Sequence, residues 1–405
     1  MTMDFPPTRA AGLERLAAFL PKAGRAYASD RNYDRPEAGH RGVSGLSPYL
    51  RHRLLTEREV VQTVLNRHSA QASEKFVQEV FWRLYWKGWL ERRPSIWANY
   101  RECAARARDA MDGDLAARVA AAEAGRTGID CFDAWARELT DSGYLHNHAR
   151  MWAASIWIFT LRLPWELGAD WFLRHLLDGD PASNTLGWRW VAGLQTRGKN
   201  YVAGASNIAR YTEGRFNPAG TLDEAPLPLE GPAPPPVGAV PLGERPDPAL
   251  RTGILLTEED VQPGFLFADG PGEVVGHATL RSTDGRSDLP VADAVTRFSA
   301  GAIEDARSRW EGRMGARGPD TVEPGDIAEW AVASGLEQVV TAYAPVGPAA
   351  TTLTHLEAEL ARNGIALVRV LRAEDAAAWQ HATHGFFRFK SRIADLIEQM
   401  AKIRG

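Results

Sequence analysis

The chain has 405 residues, 24% of them charged and 44% hydrophobic, which is ordinary for a globular protein and long enough for two domains. No apolar run reaches the roughly 18 residues of a membrane span, and the start MTMDFPPTRAAGLERL lacks the apolar stretch of a secretory signal, so a cytoplasmic protein is expected. Cys103 and Cys131 are the only cysteines, which excludes a disulfide framework and a Cys-based zinc site and suits a reducing compartment. Net charge is −4, but residues 1–218 carry 30 Lys+Arg against 24 Asp+Glu, while the remainder carries 17 against 27. The first half is the basic one, as a phosphate-binding surface requires.

In chain order, residues 1–218 read as helical. An amphipathic helix spans Ala11–Leu20. Tyr27 opens the segment YASDRNY, and Val43 to Leu50 reads VSGLSPYL, a turn in which Ser44 and Ser47 can hydrogen-bond phosphate oxygens or simply cap the chain. Thr56 and Glu59 form a capping box, and Ser73 is expected to cap a helix running from Glu74 to Arg92. On that helix Glu79, Trp82, Arg83 and Trp86 fall at i, i+3, i+4 and i+7, one face. Glu79 and Arg83 can be an ordinary i,i+4 ion pair on a solvated face; two tryptophans on the same face sit less comfortably with that, and a pocket wall is the other reading.

Residues 95–125 read as further helix, closed by Gly125-Arg-Thr-Gly128. From His146 to Trp190 the pattern is helix, helix, polar turn, helix. Asn147, Arg150 and Met151 share one helical face. The turn Asp178-Gly-Asp180-Pro reverses the chain. Asn184 and Trp188 then lie one above the other, with Trp190 about 200° around the axis from Trp188. The stretch Gly193 to Asn200 nearly spells a P-loop, but it lacks the final Ser/Thr and a preceding strand.

Residues 219–250 are Pro-rich, either a semi-rigid linker or an arm laid over the first domain. Beyond them, strands near 253–257, 274–281, 337–343 and 365–371 alternate with helices near 291–314, 326–334 and 350–363. This alternation predicts a small doubly wound α/β domain over 251–405. No GxGxxG follows a strand, so a dinucleotide fingerprint is absent.

Several motifs in order resemble the DNA photolyase/cryptochrome family: N-x-x-R-M at Asn147-Arg150-Met151, W-x-x-G-x-x-x-F at Trp165-Gly168-Phe172, and D-G-D-x-x-x-N-x-x-x-W-x-W from Asp178 to Trp190. Glu79, Trp82 and Arg83 are similar to the family's E-x-x-W-R, with Phe76 in place of its first Trp. Val43 stands where the family usually has Thr. The resemblance covers about residues 27–218. It implies an all-helical FAD-binding domain, followed here by a small α/β parallel-sheet domain. Ordinary members carry an α/β antenna domain ahead of the flavin domain. The ending HGFFRFKSRI is similar to the exit segment of that domain, so a permuted order, with an antenna-like domain at the C-terminus, is one reading and an unrelated α/β domain the other.

For FAD, the resemblance implies an Arg150–Asp178 ion pair beside the flavin ring, Asp180 at its polar edge and Asn184 and Asn147 close by. Tyr27, Ser44, Leu46, Ser47 and Arg83 would hold the phosphates and surrounding chain. Trp188 and Trp165 resemble the first two members of a photoreduction chain. The outer Trp is missing from its usual place, so the electron would pass through Trp157, Trp171 or another indole. Glu79, Trp82, Asn147, Met151 and Trp190 match the set that receives a flipped cyclobutane pyrimidine dimer in DNA, with Glu79 also assisting the chemistry. The implied reaction is light-driven electron donation from reduced FAD to the dimer, without a metal. The alternative is a non-repairing, cryptochrome-like light sensor.

Overall fold

The computed structural model describes residues 3–268 and 270–403. Among these described residues, twelve α-helices form the first half: α1 (Arg9–Phe19), α2 (Arg25–Asp30), α3 (Ser47–Arg51), α4 (Glu57–Leu65), α5 (Ala70–Glu91), α6 (Ser95–Asp109), α7 (Gly113–Glu123), α8 (Asp130–Ser142), α9 (Asn147–Ser155), α10 (Trp165–His175), α11 (Pro181–Val191) and α12 (Ala205–Tyr211). Thr56 caps α4 as the sequence indicates, its side chain accepting from Glu59 N at 3.2 Å. The start of α5 is different. Ser69 is the cap, accepting from Ala72 N at 3.2 Å, and Ser73 lies one turn inside, donating back to Ser69 O. Both serines satisfy the local pattern, and the earlier one wins because it lets Ala70–Ala72 complete another helical turn.

The second half follows as β1 (Thr252–Leu256), β2 (Val274–Leu280), α13 (Asp293–Met314), β3 (Ala316–Thr321), α14 (Pro324–Ala333), β4 (Gln338–Ala342), α15 (Pro348–Ala361), β5 (Ala366–Val370), α16 (Ala373–Trp379), α17 (Phe386–Lys390) and α18 (Ile393–Lys402). The sheet is parallel throughout, in the order β3-β2-β1-β4-β5, with Ile254 opposite both His277 and Val340. This is the expected doubly wound arrangement. β3 is the one strand the sequence concealed. Its residues ARGPDT have turn composition, and they pair only because an edge position tolerates a proline with no ladder partner on its outer side.

The two halves share a core. Along β1, Ile254 and Leu256 face the cluster that contains Tyr49, Leu84 and Phe298, whereas Leu255 faces the α14–α15 side. Phe298 on α13 meets Tyr49 and His52 of the helical half at ring distances of 6.1 and 5.4 Å. The Pro-rich stretch is an ordered arm without regular structure. Leu229 N–H donates to Ala192 O, Gly238 N–H to Arg92 O and Glu244 N–H to Arg369 O, all at 2.8–2.9 Å. The final helices turn back onto the first half, α16 and α17 on α5 and α18 on α4. Gly88 makes the α5–α16 crossing possible, since a Cβ there would sit 2.8 Å from Trp379 Cα.

Candidate functional site

A cavity of about 610 Å³ lies within the helical half, in the size range of small-molecule and cofactor sites. Its walls come from α2, α3, α5, α9, α10, the 178–180 turn and α11. Tyr27, Ser47, Glu79, Trp82, Arg83, Asn147, Arg150, Met151, Asp178, Asp180, Asn184, Trp188 and Trp190 all line it. Helical periodicity accounts for the convergence. Glu79, Trp82, Arg83 and Trp86 form the inward face of α5, and Asn147, Arg150 and Met151 that of α9. Three predicted residues lie outside the lining. Ser44 Oγ accepts from Leu46 N at 3.3 Å and so closes its own turn, Leu46 is buried in the core, and Trp165 packs on Tyr100 at 5.7 Å.

Arg150 and Asp178 pair at 2.9 Å, joining the two motif segments across the cavity. Arg150 Nε also donates to Leu145 O at 2.8 Å, which fixes the guanidinium plane. Asn184 Nδ2 donates to Ala169 O at 2.8 Å, leaving its amide oxygen to the cavity. Asp180 caps α11 through Ala182 N and Ser183 N and lies among Lys87 at 2.9 Å, Arg83 at 3.7 Å and Arg51 at 3.8 Å. Burial alone would raise its pKa; those three cations hold it well below the usual carboxylate range.

The i,i+4 pairing of Glu79 with Arg83 is not formed. Arg83 turns to Glu57 at 3.0 Å and donates to Arg51 O, while Glu79 pairs with Arg31 from the end of α2. Arg83 has a buried acid nearer its own base, and Glu79 is left to the cavity side. Burial raises the Glu79 pKa, with Arg31 opposing. Arg31, Asn32, His148 and Ser183 also line the cavity and were not singled out from the sequence. The signal for His148 was its place beside Asn147; burial lowers its pKa to about 4, so it is neutral at physiological pH. Arg31 carried no local signal.

The α/β half braces this cavity from behind. Arg51 Nε donates to Gly179 O at 2.8 Å and grips Glu259, from the loop after β1, at 2.8 and 2.5 Å. Arg286 Nη1 donates to Leu176 O at 3.1 Å. The 176–180 turn, which carries Asp178 and Asp180, is therefore held by Arg51 from far upstream and Arg286 from far downstream, with Glu259 fixing Arg51 in place.

The indoles near the cavity include Trp157 and Trp171, the two named above as an exit for the electron. Trp188 meets Trp157 edge-on at 6.3 Å, and Trp157 stacks on Trp171 at 5.6 Å and 18°. Trp157 lies in the π-helical turn Ile156–Thr160 that continues α9, which carries it round to this position. Gly168 explains the close packing. A Cβ there would fall 2.6 Å from Trp188 Cζ3 and 2.9 Å from Trp157 Cε2.

Fold and site together define a helical cofactor-binding unit merged with a doubly wound α/β unit. Residues 76–221 match the family described as the FAD binding domain of DNA photolyase. A deoxyribodipyrimidine photo-lyase from Streptomyces griseus is 37% identical over 166 residues, covering 40% of this chain and 35% of that protein. One from Thermus thermophilus is 34% identical over 194 residues, covering 46% and 43%. A solved bacterial class III photolyase from Agrobacterium tumefaciens aligns with a TM-score of 0.43 and 26% identity, over 51% of this chain and 43% of that one. Residues 76–221 of the helical half are thus similar to the FAD binding domain of DNA photolyases. The chain spans less than half the length of these curated relatives.

The cavity's donor set fits FAD. Asp178 Oδ1 and Trp188 Nε1 are buried with no hydrogen-bond partner among the described residues. Together with the Asn184 amide oxygen, they supply acceptors and a donor that a polar ring edge satisfies.

Proposed function

We propose that the protein is a light-driven DNA photolyase that splits cyclobutane pyrimidine dimers, with FAD held in the cavity described above. The observation that carries this reading is the presence of Glu79, Trp82, Asn147, Met151 and Trp190 in one cavity that also contains Arg150, Asp178 and Asn184. When bound and reduced, FAD supplies the light-driven electron that opens the dimer and takes it back afterwards. The protein's part is binding, orientation and exclusion of water. Trp82 and Trp190 provide apolar walls for two flipped bases, and Met151 fills the space between. Glu79 and Asn147 read the polar edges of the pyrimidines. The Glu79 carboxyl, with its pKa raised by burial, is suited to share a proton with a pyrimidine carbonyl while charge develops there. Arg150 stabilises negative charge on the ring, and Asp178 keeps that guanidinium compensated when the ring is neutral. Tyr27, Ser47 and Arg83 line the same cavity, and in this reading they hold the cofactor's chain and phosphates.

The test is illumination of the photoreduced protein with a thymine-dimer oligonucleotide at about 370–450 nm, following absorbance near 260 nm against a dark control. Light-dependent recovery is expected, and Glu79→Gln should reduce it by roughly 10-fold or more while FAD content is unchanged. A protein that takes up no FAD refutes the proposal. The engagement of Glu79 by Arg31 favours a second reading, a non-repairing light sensor. In that case flavin is bound and photoreduced, but no dimer is repaired and Glu79→Gln changes nothing.

A further inference from the structure

Phe387 is 86% exposed and is the only aromatic residue among the exposed large hydrophobics of the described residues. An exposed phenylalanine in a rigid position costs solubility, so its surroundings are informative. It lies on α17, whose sequence FFRFK turns Phe386 and Phe389 inward and leaves Phe387 and Arg388 outward, as i,i+3 spacing requires. Phe386 stacks flat on Trp82, ring centroids 3.6 Å apart and planes at 11°. Trp82 is a wall of the cavity. Phe387 is therefore the next residue along from the outer support of that wall.

The platform is fixed at three points on and beside α5. Tyr85 donates to His384 O at 2.8 Å, Arg93 to Thr383 O at 2.8 Å, and Lys390 pairs with Glu74 at 2.9 Å. Residues 384–392 contain Arg388, Lys390 and Arg392 and no acid. Lys390 and Arg392 have carboxylate partners, Glu74 and Asp395. Arg388 lies against the His384 ring at 3.3 Å, with no carboxylate partner among the described residues.

We propose that Phe387 is a wedge for duplex DNA, entering the gap left in the base stack when the dimer turns out into the cavity, with Arg388 on the adjacent phosphate. This rests on the photolyase reading and deepens it, because it names the duplex and the residue that holds it open. Removing two stacked bases leaves a hole of aromatic size, and an apolar side chain inserted between base steps offsets part of the unstacking cost. A single strand leaves no such hole, so the wedge matters for duplex DNA alone. Arg388 adds a sequence-independent, salt-sensitive contact.

The experiment compares full-length wild type, Phe387→Ala, Phe387→Leu and Arg388→Ala, after confirming equal flavin content and unchanged circular dichroism. Binding is read by fluorescence anisotropy on dimer-containing duplex and single-stranded oligonucleotides, with 2-aminopurine opposite the lesion as a reporter of unstacking. Phe387→Ala should weaken duplex binding by roughly 10- to 100-fold and reduce the 2-aminopurine signal, with single-strand affinity changed less than about twofold. Phe387→Leu should recover part of the loss. Arg388→Ala should weaken both substrates and lessen the salt dependence. Equal duplex binding by wild type and Phe387→Ala overturns the proposal, as does an equal loss on both substrates. Wild type that sediments as a dimer, with Phe387→Ala a monomer that binds duplex normally, assigns the surface to a second copy of the chain and also overturns it. Wild type that binds neither oligonucleotide removes the photolyase reading itself.

Discussion

Replacing Glu259 by Gln should cost about 3 kcal/mol of folding stability at pH 7. The residue sits in the loop after β1, fully buried, with Arg51 at 2.8 and 2.5 Å and Lys87 at 3.3 Å. Burial pushes its carboxyl pKa up, but Arg51 and Lys87 more than offset that and bring it from the ordinary 4.5 to about 2. At about 1.36 kcal/mol per pH unit, that drop corresponds to roughly 3 kcal/mol favouring the ionised group in the folded state. The figure agrees with the roughly 3–5 kcal/mol of breaking a buried ion pair from one side. The folded pKa lies below the unfolded one, so the contribution is complete above about pH 4.5 and disappears as pH falls from 4.5 towards 2. Urea unfolding of wild type and variant, followed by tryptophan fluorescence at a series of pH values, checks both points. The gap between the two proteins should be full at pH 7 and should close below about pH 4.5, as wild type itself becomes neutral at this position. A gap under about 1 kcal/mol at pH 7, or one that does not change with acid, would refute the electrostatic reasoning. Because Arg51 also holds Gly179 O, the variant should lose FAD faster on dilution.

Asp178→Ala should leave the Arg150 guanidinium without its acid and lower FAD retention by roughly 10-fold, measured as flavin fluorescence released in dialysis. Trp157→Phe should slow photoreduction of bound flavin, measured by absorbance near 450 nm, by more than Trp165→Phe does, because Trp157 is the indole in ring contact with Trp188. Glu91, buried and accepting from Tyr343 Oη at 2.8 Å and from Val346 N, has its pKa raised by burial to about 7. Its folded pKa is above the unfolded value, so it removes stability as pH rises from 4.5 to about 7; Glu91→Gln should therefore be more stable relative to wild type at pH 8 than at pH 5, by up to roughly 3 kcal/mol in urea unfolding.

The local half of this protein was legible in the residues alone. Helical spacing put Asn147, Arg150 and Met151 on one face and Glu79, Trp82 and Trp86 on another, since side chains three and four apart must neighbour each other. Chemistry in the 178–181 turn and at Thr56 was readable for the same reason, and alternation of strands with helices was enough for a parallel sheet. Which faces meet and which charges pair was left to the folded chain. Glu79 found Arg31 instead of Arg83, Arg51 and Lys87 found Glu259, and Trp188 met Trp157. The same structure turned the proline-rich stretch into an arm along Ala192 and Arg92, placed Phe386 against Trp82 and gave the two halves one shared apolar cluster beside a separate one in each. An ion pair or ring contact between residues dozens or hundreds of positions apart leaves no periodic trace in the chain. It is chosen by competition among several partners of the right charge or shape, and that competition is settled by packing.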